Sequence, residues 1–288
     1  MAARETYLRR YNTWTEWVEK AATGFDPNGC SQTSGDRWAG ASFKQAIDLA
    51  RVGWREARDQ VNVILDPIRE HLAEVLDFTF ERSVDTTGVE PDIDLYLAGE
   101  LECMYDDMPV IAPHKGKAMT LIVDSCITGN VPSEEVFKRG AAIIALVETM
   151  TLCGFELEVW GDISVESWSN NKRWTALVRL HKAGDPLDMD QLCFGIGHPA
   201  QLRRLCFAHM EAEPAKIRKE FGFGEPYGSG YGSPCGIHDT AELVDASFTV
   251  SWGNRQNQQM VDDPVKWVLD QLEAQGVYTP PERRWEHG

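Results

Sequence analysis

Nonpolar positions change their rhythm partway along the chain. Between Tyr7 and Ala22, the residues Leu8, Tyr11, Trp14, Val18 and Ala22 recur every three or four positions, which predicts an amphipathic helix. A Gly-, Asp-, Pro- and Ser-rich interval from Thr23 to Gly40 reads as a loop. Ser42-Phe43-Lys44-Gln45 then has the form of a capping box, with Ala46, Leu49, Ala50 and Trp54 following at helical spacing. Val61 to Leu76 continues as helix, and Pro67 marks a start or a kink.

Further on, short nonpolar runs alternate with helical patterns. Met119 to Val123 is continuously nonpolar and ends at Asp124, as expected of a strand buried on both faces. Ser133, Glu134 and Glu135 open a helix that runs to Cys153 before Gly154 closes it. From Ala141 this helix is nonpolar nearly all round, so it should lie deep. Gly140 inside it costs about 1 kcal/mol relative to Ala, which points to close approach by another backbone. Phe155 to Trp160 and Trp174 to Leu180 alternate like strands with one better-buried face. The polar stretch between them has no room for a crossover helix, so an antiparallel hairpin is expected. Asp188 to Gly195 and Pro199 to Phe221 read as helices, the second broken or kinked at Pro214. A glycine-rich loop covers Gly222 to Gly236, Ala246 to Trp252 is a strand, and Asp263-Pro264 starts a helix ending at Gly276.

The net charge of -17 is unevenly placed. Residues 1 to 73 are balanced, whereas Glu74 to Asp107 holds 11 acidic residues against Arg82 alone. With Gly88, Pro91 and Gly99 it reads as an exposed connector. The expected organisation is therefore a helical region over 1–107 with this acidic connector, an α/β domain over 108–276, and a flexible tail over 277–288. The charge opposes general binding to nucleic acid or anionic membrane. The longest nonpolar run, Ala141 to Val147, is too short to cross a bilayer, so no membrane partner is expected. Seven irregularly spaced cysteines fit a reduced, cytoplasmic setting.

A buried strand ending in Asp, a loop, a deep helix and then two strands joined without a helix resembles the von Willebrand factor A-like (vWA) fold, a Rossmann-like doubly wound α/β sheet with an antiparallel edge strand. Arg139-Gly-Ala-Ala-Ile-Ile-Ala-Leu-Val-Glu148 followed by Gly154-Phe-Glu-Leu-Glu-Val-Trp160 is also similar to uncharacterised proteins of this architecture carried by tailed phages and actinobacteria. The resemblance implies a divalent-metal loop of the form Asp-x-Ser-x-Ser after the first strand. Here that loop is Asp124-Ser125-Cys126-Ile127-Thr128; Asp124 and Thr128 match, while Cys126 replaces a serine and is a poor magnesium ligand. Its place at the carboxyl end of a central strand makes the loop the favoured ligand position.

Other candidates come from the residues alone. Cys206, His209, Cys235 and His238 form two Cys-x2-His pairs that can be arranged as a tetrahedral zinc site, or can simply pack. Arg203, Arg204, Lys216, Arg218 and Lys219 make the one locally basic helix, a surface for nucleic acid or a partner to the acidic stretch. Trp38 and Trp168 in polar loops, and Tyr227 and Tyr231 in the glycine-rich loop, are candidates for contact with a protein partner. No nucleophile motif stands out. The favoured reading is a non-enzymatic protein-interaction or assembly protein without a cofactor, phage-encoded and acting in the bacterial cytoplasm or virion, with a protein partner or a second copy bound. The alternatives are a magnesium- or zinc-dependent enzyme or regulator and, last, a nucleic-acid-binding protein.

Overall fold

A computed structural model describes residues 5–75, 78–86, 90–111, 117–167, 171–224, 230–237, 239–251 and 254–277. Strand β1 (Glu5–Tyr11) leads into α1 (Trp14–Gly24), whose first turn is capped by the Thr13 hydroxyl. Two single-turn helices follow, α2 (Cys30–Thr33) and α3 (Asp36–Ala39), and then α4 (Phe43–Val52) with the expected Ser42–Gln45 capping box and α5 (Arg58–Val75) with Pro67 inside it. The acidic segment builds β2 (Phe78–Asp85), β3 (Glu90–Pro91), α6 (Ile93–Leu97) and β4 (Met104–Ile111).

The remainder contains β5 (Lys117–Asp124), α7 (Ser133–Leu152), β6 (Phe155–Glu166), β7 (Lys172–His181) and α8 (Met189–Leu192). Two wide π-helical stretches, Cys193–Gly197 and Gln201–Cys206, lead into α9 (Phe207–Glu211) and α10 (Ala215–Phe221), with the helix broken at Pro214. The chain continues through β8 (Ser233–Pro234), α11 (Thr240–Leu243), β9 (Phe248–Val250), α12 (Asn254–Asp262) and α13 (Pro264–Ala274).

The result is an α/β fold. The main sheet has the order β1-β7-β6-β5-β9, with β8 added to β6. Strands β5, β6 and β9 run parallel, and β7 runs antiparallel to β6 in the expected hairpin. That hairpin is not at the edge, because β1 pairs with β7 in parallel from Glu5↔Lys172 to Tyr11↔Val178. Residues 5–11 are thus strand rather than the start of the expected helix, and they join the first segment of the chain to the sheet. The helices on the N-terminal side of residue 107 pack with the sheet: Trp14, Trp17, Ala46 and Leu65 share one buried cluster with Leu121, Ile144 and Val159. The acidic connector is also corrected, since β2, β4 and β3 pair into a separate three-stranded antiparallel sheet.

Helix α7 lies at the centre of the large core, where its Ile143 to Val147 run is fully enclosed. Among the described residues, the opposite face of the sheet carries a small cluster of Ile122, Trp160, Leu177 and Val244, with Arg10 and Arg179 over the Trp160 ring at 4.9 and 5.6 Å. Among the described residues, the second layer is therefore thinner than a doubly wound sheet implies.

Candidate functional site

The carboxyl end of β5 opens into a cavity of about 330 Å³, within the range of small-molecule sites. Its walls come from five stretches of chain. The loop after β5 supplies Cys126, Ile127 and Thr128, and the short N-terminal helices supply Cys30, Ser34 and Trp38. The segment from Leu202 to Met210 contributes Arg203 and Phe207, β6 contributes Val165, and the loop before β8 and β8 itself contribute Tyr231 and Pro234. Thr128, Trp38, Arg203 and Tyr231, drawn from three different sequence expectations, thus meet in one place.

Most of the polar groups here bond to the protein itself, although the buried Arg203 Nε has no partner among the described residues. Asp124 Oδ1 accepts from the Cys126 amide at 3.0 Å and so shapes the loop, while the Ser125 amide donates to the Asp162 carbonyl at 2.7 Å. Thr128 donates its hydroxyl to Asn130 Oδ1 at 2.5 Å. The Trp38 indole donates to the Gly129 carbonyl at 2.7 Å, closing one side of the cavity. Arg203 is 1% exposed; its guanidinium donates to the carbonyls of Trp38 (2.5 Å) and Val131 (2.6 Å) and lies 4.5 Å from the Trp38 ring. Among the described residues no carboxylate pairs with it, and burial lowers its pKa from the ordinary value.

The far wall is aromatic. Tyr231 stacks on Phe207 with ring centres 3.7 Å apart, and its hydroxyl donates to Glu211. Glu211 also accepts from the Ser31 amide at 2.9 Å and the Ser31 hydroxyl at 2.5 Å, so one carboxylate ties α2, α9 and the loop before β8 together. Burial, reinforced by the Glu211 charge, pushes the Tyr231 phenol well above its usual range. Desolvation likewise raises the Cys126 and Cys206 thiols and moves Cys235 to about 12, which leaves them poor nucleophiles.

Two expectations are corrected. His209 is buried with both ring nitrogens engaged, Nδ1 with the Tyr11 hydroxyl at 3.0 Å and Nε2 with the Trp17 carbonyl at 2.9 Å, so it is not available to the four-ligand site. Cys206 is enclosed beside it, Cys235 is half-buried, and His238 lies outside the described residues. Among the described residues, no group of three or more His, Cys, Asp or Glu side chains is gathered as metal ligands.

The basic helix is not a continuous exposed face either. Arg204 is fully buried and donates to the carbonyls of Ala41, Ser31 and Ser34 and to Asp36 Oδ1, at 2.7–2.9 Å. Only Lys216 and Lys219 are exposed, and the partly exposed Arg218 lies 3.9 Å from Asp26. Trp168 and Tyr227 lie outside the described residues.

Sequence reading missed Phe207 and Glu211 at the site, and Asp162 beside it. Asp162 is the register partner of Asp124, is fully buried and accepts from the Thr240 hydroxyl at 2.5 Å. A signal was available at Asp162, a carboxylate inside the otherwise mostly nonpolar run Val159 to Val165, whereas Glu211 stands among other charged residues and gave none.

Fold and cavity define an α/β protein with an aromatic-walled site at the carboxyl end of its parallel strands. Residues 2–278 match the family described as Domain of unknown function (DUF7192), and the chain belongs to that family. No curated protein and no solved structure matches the chain. Among the described residues, no helix is long and apolar enough to cross a membrane.

Proposed function

We propose that the protein is a non-enzymatic interaction protein on a vWA-like scaffold, and that a protein partner inserts a nonpolar side chain into the cavity. The observation that carries this reading is the engagement of Asp124, Thr128, Arg203 and Tyr231 with the protein's own groups, which leaves Ile127, Leu202, Phe207 and Met210 to define the lining. Burying a Leu- or Phe-sized side chain there contributes about 1.5–3 kcal/mol, enough to anchor a contact. Support for the scaffold comes from the order of Asp-terminated β5, enclosed α7 and the antiparallel β6–β7 pair. The free cysteines agree with a reduced cytoplasmic setting, and a phage assembly role is the biological context we favour.

Calorimetric titration with 4-methylphenol and indole, mimics of Tyr and Trp side chains, tests the reading. Saturable binding is expected, with loss in Thr128→Trp, which places an indole at the exposed cavity mouth and leaves the melting transition unchanged. Absence of saturable binding, or equal binding by Thr128→Trp, overturns it.

A second reading assigns a divalent cation to the strand ends, because Asp124 and Asp162 are register partners and present their carboxylates on the same face of the sheet. Magnesium or zinc titration that gives a stoichiometric site, abolished by Asp162→Asn, supports it; no heat at millimolar metal removes it.

A further inference from the structure

We propose that α6 and the turn after it form a docking face for a basic, amphipathic segment of a partner protein. Ile93, Tyr96 and Leu97 stand at i, i+3 and i+4 on α6, and Leu101 follows just beyond its end. Their exposures are 60%, 66%, 76% and 85%, and no residue of α6 is buried. Such a concentration of exposed large side chains is unusual for a surface that meets only water.

The segment is held rather than loose. Asp92 caps α6 by accepting from the Asp94 and Leu95 amides at 2.9 and 3.0 Å, and it also accepts from the Tyr105 hydroxyl of β4. The Asp92 amide donates to the Cys103 carbonyl at 2.7 Å, and Gly99, at φ +79°, lets the chain turn out of the helix. A fixed nonpolar stripe loses little conformational entropy on association.

Charge selects the occupant. Glu90, Asp94, Glu100 and Glu102 are exposed around the stripe, and no Lys or Arg occurs between Arg82 and Lys115. A second copy would bring the same carboxylates face to face, whereas a helix with Leu on one face and Lys beside it satisfies both features. The partner's lysines would meet the rim while its nonpolar residues cover Tyr96, Leu97 and Leu101.

Fluorescence anisotropy with the full chain tests the proposal. The probe is a labelled 18-residue Leu/Lys peptide with a helical stripe, compared with a peptide of the same composition whose stripe is scrambled. Binding of the striped peptide is expected to be at least tenfold tighter, and to fall at least tenfold in Leu97→Asp/Leu101→Asp. Glu100→Lys/Glu102→Lys should weaken it and flatten its salt dependence. Both doublets alter exposed residues, and an unchanged melting transition verifies the fold. Equal binding of the two peptides, or no change in the leucine doublet, overturns the proposal. So does a concentration-dependent dimer in sedimentation that Leu97→Asp/Leu101→Asp abolishes, because a second copy then covers the face.

Discussion

Gly140 of α7 meets Gly197 backbone to backbone: a Cβ on Gly140 would stand 2.3 Å from the Gly197 Cα. Glycine inside a nonpolar helix signalled this approach in the sequence. Gly140→Ala gains about 1 kcal/mol of helix propensity, but the clash is with backbone and no rotamer relieves it. The variant should be less stable by about 1–3 kcal/mol, read from the urea midpoint. Gly35→Ala, where nothing lies within 4 Å, should shift the midpoint little.

Arg204 should be among the most costly residues to replace. Its guanidinium reaches three carbonyls and Asp36 from a fully enclosed position. Arg204→Met leaves those acceptors unpaired and should cost about 3–5 kcal/mol. Arg204→Lys should recover little, since one ammonium cannot span the same acceptors. Hydrogen exchange should quicken first over residues 30–41.

Acid should destabilise the fold partly through histidine. Burial lowers His209 to about 3 and His198 to about 4, against an ordinary value near 6.5. Below pH 6.5 the unfolded chain takes up these protons while the folded chain does not, so stability falls as pH drops toward those values. Each group contributes a slope of up to about 1.4 kcal/mol per pH unit. His209→Gln should reduce the measured slope between pH 6 and 4 by about one proton, and any similar slope in the variant would contradict the assignment.

Thiol alkylation should follow burial. Exposed Cys30 should react first, and the enclosed Cys153, Cys193 and Cys206 only on unfolding. Cys30 lines the cavity, so 4-methylphenol should slow its alkylation and leave Cys103 unaffected. Peptide mass mapping after timed iodoacetamide exposure reads this directly.

Local signals read the fold well where a short segment determines its own structure. The Ser42 cap, α7 with its Gly154 stop, and the β6–β7 hairpin were legible because caps, periodicity and loop length act over a few residues. Residues 5–11 were not: their pairing with β7 is set by residues more than 160 positions away, and the spacing of Leu8, Tyr11 and Trp14 imitates a helix face. The acidic segment was misread because its charge concealed the alternation of a small sheet. For the site, Trp38, Thr128 and Tyr231 were visible as odd residues in loops, but not that they share a cavity. Arg203 and Arg204 read as a surface in the sequence because a charged pair on a helix usually is one. Their burial follows from the carbonyls of α2, α3 and the flanking loops, which no local pattern displays.

Methyl-detected NMR of the protein titrated with 4-methylphenol examines the cavity most directly. Saturable shifts confined to the methyls of Ile127, Val165, Leu202 and Met210, and absent in Thr128→Trp, are the expected result. Shifts that never saturate, or that scatter over the surface and persist in Thr128→Trp, would contradict a binding role for this cavity.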